Sequence, residues 1–440
     1  MKFNKTFIIL FLMLGILVLS TDIRAYTQEE TKEKPEEKKE KEEQKALFIK
    51  GGKIHTITQG VIREGCILIR DGIIQKVGRN LIPPKDAFIL EAKDKWIMPG
   101  FVVAHSYSIG MYSIIREDRR PKIFNYLDPY NIQLRLCLAS GITAYSPGLI
   151  TGTGPTRKYY SFLNAVLKPV YGQLREMQVQ EPSYLYIDVA NLKPSEKGEL
   201  RGFFQRAREY ITKESEYEKS KELKKGKAPV VPPDLKHYVA ILKKELPVRF
   251  VANRKKEILK VLAFVDEFDI RAQILGAAEG WLIPDEIGRR NISTILQPEA
   301  FLRSDPYQLP PDGSNIKNAL IQKQKGIKFA IINTSPRVYT GGMLGDDLMT
   351  FPLAGSYAIR GGLEEKDALK AITYWAAEML GIGHRVGSLE EGKDADIIIL
   401  DGNPFDYRTY VDYTIINGKI LYDKSKSSFF KKIPRPKRIF

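Results

Sequence analysis

Two sets of short β-rich runs, one near each end of the chain, constrain the fold most. The first set is "ALFIKGGKIHTI", "GCILIRDGIIQKVG" and "AFILEAKDKWIM", and the second is "DADIIILDGNPF" and "VDYTIINGKILYD". Gly-Gly, Asp-Gly and Pro-Pro pairs fall among these runs, as expected at turns between strands. The same pattern at both ends predicts one composite β-domain, built from residues 46–97 and 385–427 around an inserted body.

The inserted body, residues 98–384, alternates short apolar runs with amphipathic stretches. For example, "LPVRFVA" precedes "KKEILKVLAFVDEF", and "IRAQILG" precedes "WLIPDEIGRRN". Alternating β and α units predict a parallel sheet or a barrel. The charged segment 198–227 predicts a helix that faces solvent on the outside of the body, with a partner-binding helix as the alternative.

The first 45 residues are unlike the rest. Lys2 and Lys5 precede an apolar run of 13 residues, "FIILFLMLGILVL", and small residues follow. This layout predicts a secretory signal peptide over residues 1–25, cleaved after Ala25. A permanent membrane anchor is the alternative, although a spanning helix needs about 20 residues. Residues 26–45 mix both charge signs and predict a linker, so we expect an exported, periplasmic or extracellular protein.

The formal net charge is +16, but the basic residues are scattered and do not indicate a nucleic-acid partner. The one dense basic cluster is the tail, residues 428–440. A weak contact of this tail with an anionic membrane surface is one expectation, and a solvated tail is the other. The two cysteines, Cys66 and Cys137, predict two separate buried thiols, with a disulfide as the alternative.

Two stretches carry a family resemblance. "IMPGFVVAHSYSIG" near the start and "GSLEEGKDADIIILDGNP" near the end resemble the amidohydrolase superfamily, particularly its exported imidazolonepropionase-like or prolidase-like branch. The resemblance extends from Ala46 to about Asp423. It implies an α/β fold: a (β/α)8 TIM barrel with a composite β-sandwich domain from both chain ends, and a site at the C-terminal mouth of the barrel strands. It also implies hydrolysis of C–N bonds by a hydroxide activated on one or two divalent metals.

The implied metal ligands include His-x-His on the first barrel strand. In "PGFVVAHSYSIG" the first of these positions is His105, but Tyr107 occupies the second. Alternation along a strand sends both side chains into the mouth. A phenol, with a pKa of about 10, is a poor zinc ligand.

The other implied ligands are a histidine on each of the fifth and sixth strands and an aspartate on the eighth. The matching residues are Val251, Ala278 and Thr334, and no carboxylate occurs between residues 326 and 338. Of the four histidines in the chain, only His105 stands at a ligand position. Because catalytic zinc usually has about three protein ligands, we expect no metal and no other cofactor.

Three residues remain as catalytic candidates. His105 is either a hydrogen-bonded barrel histidine or a weak metal ligand. Lys168, in "AVLKPV", resembles the family's bridging lysine, and the alternative is a buried or paired lysine. Glu279 is a candidate general acid or base at the mouth, and the alternative is a salt bridge to a nearby arginine or lysine.

The sequence leaves three functions open. The first is an exported amidohydrolase-like protein without a metal site, a pseudoenzyme that acts as a binding or partner subunit, alone as a homo-oligomer or with an active relative. The alternative is an active amidohydrolase that cleaves cyclic amides or dipeptide-like bonds with a reduced site of His105, Lys168 and Glu279, with a zinc ion or without metal. The third is adhesion to a membrane surface through the basic tail.

Overall fold

The computed structural model describes residues 46–107, 109–111, 122–148, 162–220, 228–303, 312–338 and 347–427. The expected signal peptide (1–25), linker (26–45) and basic tail (428–440) lie outside these ranges. Among the described residues, no helix is long and apolar enough to cross a membrane.

Strands make up most of the two ends of the described chain and the inner wall of its middle. In chain order they are β1 (Leu47–His55), β2 (Val61–Arg70), β3 (Ile73–Arg79), β4 (Phe88–Glu91), β5 (Trp96–Pro99), β6 (Phe101–Tyr107), β7 (Ile142–Gly148), β8 (Phe162–Leu167), β9 (Gln178–Asp188), β10 (Val248–Ala252), β11 (Ala272–Gly276), β12 (Ser293–Leu296), β13 (Phe329–Ile331), β14 (Ile397–Leu400), β15 (Val411–Ile416) and β16 (Lys419–Asp423).

The α-helices lie between or after the strands of the middle. They are α1 (Ile132–Ala139), α2 (Leu174–Met177), α3 (Pro194–Ser220), α4 (Lys236–Leu242), α5 (Lys255–Phe268), α6 (Pro284–Arg289), α7 (Asn318–Gln324), α8 (Pro352–Arg360), α9 (Glu365–Ala371) and α10 (Tyr374–Met379).

Strands from both chain ends form one sheet, which we name the end sheet. Its order is β16-β15-β14-β5-β1-β2-β3, and β4 pairs in addition with β1. The two chain ends meet where β5 and β14 run antiparallel, with Ile97 opposite Ile399. Both isoleucines lie in the apolar core of this sheet, because branched side chains pack well on a pleated surface. The sheet that the β-rich runs at both chain ends predicted, separate from the inserted body, is therefore confirmed.

Strands of the middle form a second sheet, in the order β13-β12-β11-β10-β9-β8-β7-β6. The order of the strands in the sheet follows their order in the chain, as expected when each new strand pairs with the strand before it. The two edges approach each other, and the Tyr107 N–H, at the end of β6, donates to the Pro336 carbonyl, beyond β13, at 2.7 Å. The eight strands thus form a nearly closed barrel, which confirms the α/β barrel that the resemblance implied.

One strand departs from the parallel pattern. β8, at the third barrel position, is antiparallel to both β7 and β9. Only residues 168–177 connect it to β9. A parallel connection needs a crossover of about a dozen residues or more, so this connection favours an antiparallel hairpin.

Helix α5 shows how the outer layer is held. Its buried residues recur with the spacing of one helical face: Ile258, Val261, Leu262, Val265 and Phe268. At its start, the Glu257 carboxylate accepts the N–H groups of Asn253 and Arg254, which would otherwise have no partner in the helix. Phe250 of β10 contacts Phe264 of this helix, so Phe250 faces outward from the barrel.

Helix α3 begins four residues before the charged segment predicted to be helical, 198–227, and covers it as far as Ser220, while residues 221–227 lie outside the described ranges. One side of α3 is buried, and Phe204 packs against Tyr238 of α4 and Phe268 of α5. The two cysteines lie in different elements: Cys66 in β2 and Cys137 in α1. Both are buried free thiols, as one of the two expectations had it.

His55, at the end of β1, is buried and stacks on the Trp96 ring at a centroid distance of 3.9 Å. Burial, with a smaller contribution from Lys53, lowers the pKa of His55 to about 4. A histidine in the unfolded chain has a pKa of about 6.5. Between these two values the unfolded chain binds a proton that the folded chain does not. The free energy of unfolding should therefore decrease as the pH falls through this window.

We expect His55→Phe to keep the stacking on Trp96 and to remove this proton uptake. Relative to the variant, the wild type should lose up to about 1.4 kcal/mol of unfolding free energy per pH unit between about pH 6.5 and about pH 4. Denaturant unfolding at a series of pH values measures this difference. The contributions of the other histidines to the pH dependence cancel, because both proteins contain them. An identical pH dependence in the two proteins would contradict the assignment.

Candidate functional site

His105 lies near the C-terminal end of β6 and is 1% exposed. Its ring stacks on Tyr186 at a centroid distance of 5.8 Å, and its Nδ1 lies 3.5 Å from the Tyr184 hydroxyl. The edge of the ring meets the backbone of Gly148, where an added Cβ would lie 2.2 Å from His105 Cε1. A glycine is therefore required there for the imidazole to keep this position.

The surroundings of His105 keep it neutral. Burial first, and then the positive charge of Arg249, lower the pKa of His105 to about 3. Its Nε2 is buried and has no hydrogen-bond partner. The imidazole is thus a neutral group with one unused nitrogen, and it lies in the field of a cation.

Tyr107, two residues further along β6, is half-buried at the rim of the mouth. Its ring meets the His105 ring edge to face at 5.2 Å, and the Arg337 guanidinium lies 5.6 Å from the Tyr107 ring centroid. His105 and Tyr107 therefore share one side of the strand, as alternation predicted.

Val251, Ala278 and Thr334 lie in or just beyond the C-terminal ends of β10, β11 and β13. Because Phe250 faces outward, Val251 faces the barrel interior. Ala278 lies just beyond β11 and lines a cavity of about 200 Å³ with residues at the end of β12 and in α7. The Thr334 N–H donates to Glu299 Oε1 at 2.5 Å.

The resemblance implies a divalent metal at this mouth, so the donor set decides whether one fits. Within the ranges given above, no group of three or more His, Cys, Asp or Glu side chains is placed to hold a metal ion. The imidazole of His105 is instead accompanied by phenol rings and by Arg249. A catalytic zinc site needs about three protein ligands, so the described residues do not fit one.

The structure does not bring Lys168 to His105. Leu167 pairs with Gln178, the first residue of β9, whereas His105 contacts Tyr184 and Tyr186, much further along that strand. Lys168 therefore lies towards the opposite end of the barrel from the mouth. The reversed direction of β8 accounts for this position, because the strand ends at the side of the barrel opposite the mouth.

Lys168 is the cation of a buried cluster that joins the barrel to the end sheet. Its Nζ donates to Asp394 at 2.8 Å, Asp396 at 2.9 Å and Asn417 at 2.6 Å. Burial acts to raise the pKa of Asp394, but Lys168 and Arg385 outweigh it and lower the pKa. For the fully buried Asp396, burial prevails over Lys168 and raises the pKa. Lys168 is thus a buried, paired lysine, which was the alternative to the bridging role.

Glu279 is also committed to contacts within the protein. Its Oε1 accepts from Arg254 Nη1 at 2.8 Å and from the Gly313 N–H at 3.0 Å, and its Oε2 accepts from the Lys255 N–H at 2.6 Å. The side chain is 3% exposed. The salt bridge to an arginine, the alternative expectation for Glu279, is therefore present.

A polar layer inside the barrel was not identified from the sequence. It contains Arg249, Gln273, Tyr184 and Asn164, on β10, β11, β9 and β8. Arg249 Nε and Nη2 donate to Gln273 Oε1 at 2.9 and 2.7 Å, and Arg249 Nη1 donates to the Ala104 carbonyl at 2.6 Å. The signal was a single arginine within the apolar run "LPVRFVA".

Comparison with known proteins gives matches in sequence and in fold. Residues 313–421 match the Amidohydrolase family. A dihydroorotase from Anaeromyxobacter dehalogenans is 39% identical over 98 residues, 22% of this chain and 20% of that protein. An imidazolonepropionase from Thermoplasma volcanium is 39% identical over 70 residues, 14% of this chain and 17% of that protein. The chain thus matches about a fifth of the length of these relatives.

The fold comparison extends further along the chain. The crystal structure of an amidohydrolase from Thermotoga maritima MSB8 superposes with a TM-score of 0.69 and 22% identity, covering 86% of this chain and 100% of that one. At this identity the superposition shows the shared fold. The predicted resemblance to the amidohydrolase superfamily is confirmed, in sequence over the C-terminal part and in fold over most of the chain.

We expect Lys168→Met to lower the free energy of unfolding by about 3–5 kcal/mol, because Asp394 and Asp396 would lose their shared cation. Urea unfolding at neutral pH measures the loss. As a matched control, Lys366→Met removes the cation of an exposed pair with Glu364, 2.6 Å apart, and should change stability little. Equal losses in the two variants would show that the buried cluster does not stabilise the fold as described.

Proposed function

We propose that this amidohydrolase-like chain is an exported, non-catalytic binding or partner subunit whose barrel does not hold a catalytic metal. The observation that carries the proposal is the donor set at the mouth. His105 is accompanied there by Tyr107, Val251, Ala278 and Thr334, and the described residues offer no set of three metal ligands. One imidazole alone does not hold a catalytic zinc ion.

The electrostatics of the mouth support the same proposal. Arg249 carries a positive charge close enough to His105 to lower the pKa of the imidazole. A divalent cation on His105 Nε2 would be repelled by that charge in a poorly solvated interior. A metal site normally places carboxylates near its imidazoles, and the charge next to this imidazole has the opposite sign.

The alternative is an active amidohydrolase with a reduced site, hydrolysing cyclic amides or dipeptide-like C–N bonds. It requires Lys168 and Glu279 to work beside His105. Lys168 lies in the cluster with Asp394 and Asp396, and the Glu279 carboxylate is bound by Arg254 and by two backbone N–H groups. These contacts favour a structural role for both residues.

The role of a subunit is supported by what the chain retains. The barrel is nearly closed, the end sheet joins both chain ends, and a buried ion cluster connects the two. Such a scaffold is able to bind a small molecule or to pair with a second copy or an active relative. Export is proposed from the signal-like residues 1–25, and the basic tail 428–440 would add a weak contact with an anionic membrane surface.

Elemental analysis of the purified mature protein tests the proposal. We expect zinc, manganese and iron well below one ion per chain, and the same content in His105→Ala. We also expect no turnover of cyclic amides or dipeptides above that of His105→Ala. Stoichiometric metal that disappears in His105→Ala, or turnover that disappears with it, would establish the active alternative instead.

A further inference from the structure

We infer that the barrel interior beneath the mouth binds a small carboxylate, with Asn164 and His105 as hydrogen-bond donors and Arg249 as the compensating cation. The inference deepens the proposed function, since it names the class of ligand that a metal-free site would take. It rests on two independent observations: a buried cation that no carboxylate of the described residues contacts, and buried polar atoms without partners.

The cation is Arg249, which is fully buried. Its contacts are with neutral groups: the Gln273 amide oxygen, the Ala104 carbonyl and the face of the Tyr184 ring, 3.6 Å from the guanidinium carbon. Burial lowers the pKa of Arg249, and the groups that oppose this effect are the tyrosines Tyr184 and Tyr186. Among the residues that the structure describes, no carboxylate contacts Arg249.

A buried charge without a partner is costly, because the protein interior does not replace its hydration. Structural arginines in protein cores are normally paired with an acidic side chain. Here the field of Arg249 reaches His105, at the mouth. An anion bound within that field would compensate the charge.

The buried polar atoms without hydrogen-bond partners belong to side chains that face the barrel interior. Asn164 is fully buried, and neither its amide nitrogen nor its amide oxygen has a hydrogen-bond partner. It lies directly opposite Tyr184 in the β8–β9 ladder, so both side chains face the interior. The second such group is His105 Nε2. Buried amides and imidazoles are rarely left in this state without a ligand or ordered water.

The donors available suit a carboxylate. The Tyr184 hydroxyl lies 2.8 Å from Ser146 Oγ and 3.5 Å from His105 Nδ1. In the arrangement we propose, it accepts from Ser146 and donates to Nδ1, and the imidazole proton is on Nε2. Nε2–H and the Asn164 amide nitrogen then offer two donors, and Arg249 supplies the charge. A divalent metal cation would instead be favoured by nearby negative charge, and no carboxylate stands among these described residues.

Two acidic side chains near the mouth have contacts of their own. Asp188, at the end of β9, accepts from the backbone and side-chain nitrogens of Asn191. Glu299 accepts from the Thr334 N–H. Neither is a contact of Arg249, so neither compensates its positive charge.

Thermal unfolding of the purified mature protein tests this inference. The probes are sodium acetate, propionate and benzoate at millimolar concentrations, each compared with sodium chloride at equal ionic strength, and zinc chloride in a separate series. We expect at least one carboxylate to raise the Tm in a saturable manner and zinc not to do so. No carboxylate response, or a saturable response to zinc alone, would overturn the inference.

Two amide variants separate binding from folding. Asn164→Leu removes no protein hydrogen bond, so it should be as stable as the wild type and weaken the apparent carboxylate affinity by about tenfold or more. Gln322→Leu is the matched control: its buried amide is bonded to Thr294 and Asn318, so this variant should lose stability and keep the carboxylate response. An Asn164→Leu protein with the wild-type carboxylate response would overturn the inference.

The result also distinguishes this inference from the proposed function. A protein that contains no metal and responds to no carboxylate would overturn the inference and leave the non-catalytic role in place. A protein with stoichiometric metal at His105 would overturn both. Arg249→Met should lose the carboxylate response as well, and if that variant does not fold, Asn164→Leu decides the outcome.

Discussion

The antiparallel pairing of β5 with β14 is the interaction on which the rest of the structure depends. It joins residues about three hundred positions apart, with Ile97 opposite Ile399, and so makes one sheet of the two chain ends. The middle of the chain must then begin and finish beside this sheet, which suits a barrel whose first and last strands adjoin. The buried contacts of Lys168 with Asp394 and Asp396 hold the barrel against the end sheet where the two meet.

The barrel interior combines two environments that are usually kept apart. Towards the mouth, aromatic rings surround a neutral imidazole, and beneath it a guanidinium is held by an amide, a carbonyl and a phenol ring. A positive charge thus lies beneath the mouth at which the family resemblance implied ligands for a metal cation. A shared fold does not fix the ligand, because the charge that the interior presents depends on individual side chains such as Arg249.

The sequence predicted the larger features because each rests on a repeated local pattern. Period-two runs at both ends indicated the end sheet, alternating β and α units indicated the barrel, and strand alternation placed His105 and Tyr107 on one side of β6. The direction of β8 was missed, since alternation is the same in either direction. The polar layer was missed because Asn164 and Arg249 lie on separate strands, and only the assembled barrel brings them to one interior.

The reversed third strand has a further consequence for how the mouth is assembled. Where parallel strands deliver their last residues and following loops to the mouth, β8 delivers its first residues, and it ends at the floor beside Lys168. Changes to the first residues of β8 would therefore act at the entrance, whereas insertions after Leu167 would disturb the contacts of Lys168 between the two sheets. At β8, therefore, the start of the strand lies at the mouth and its end lies at the sheet contact, the reverse of the parallel strands.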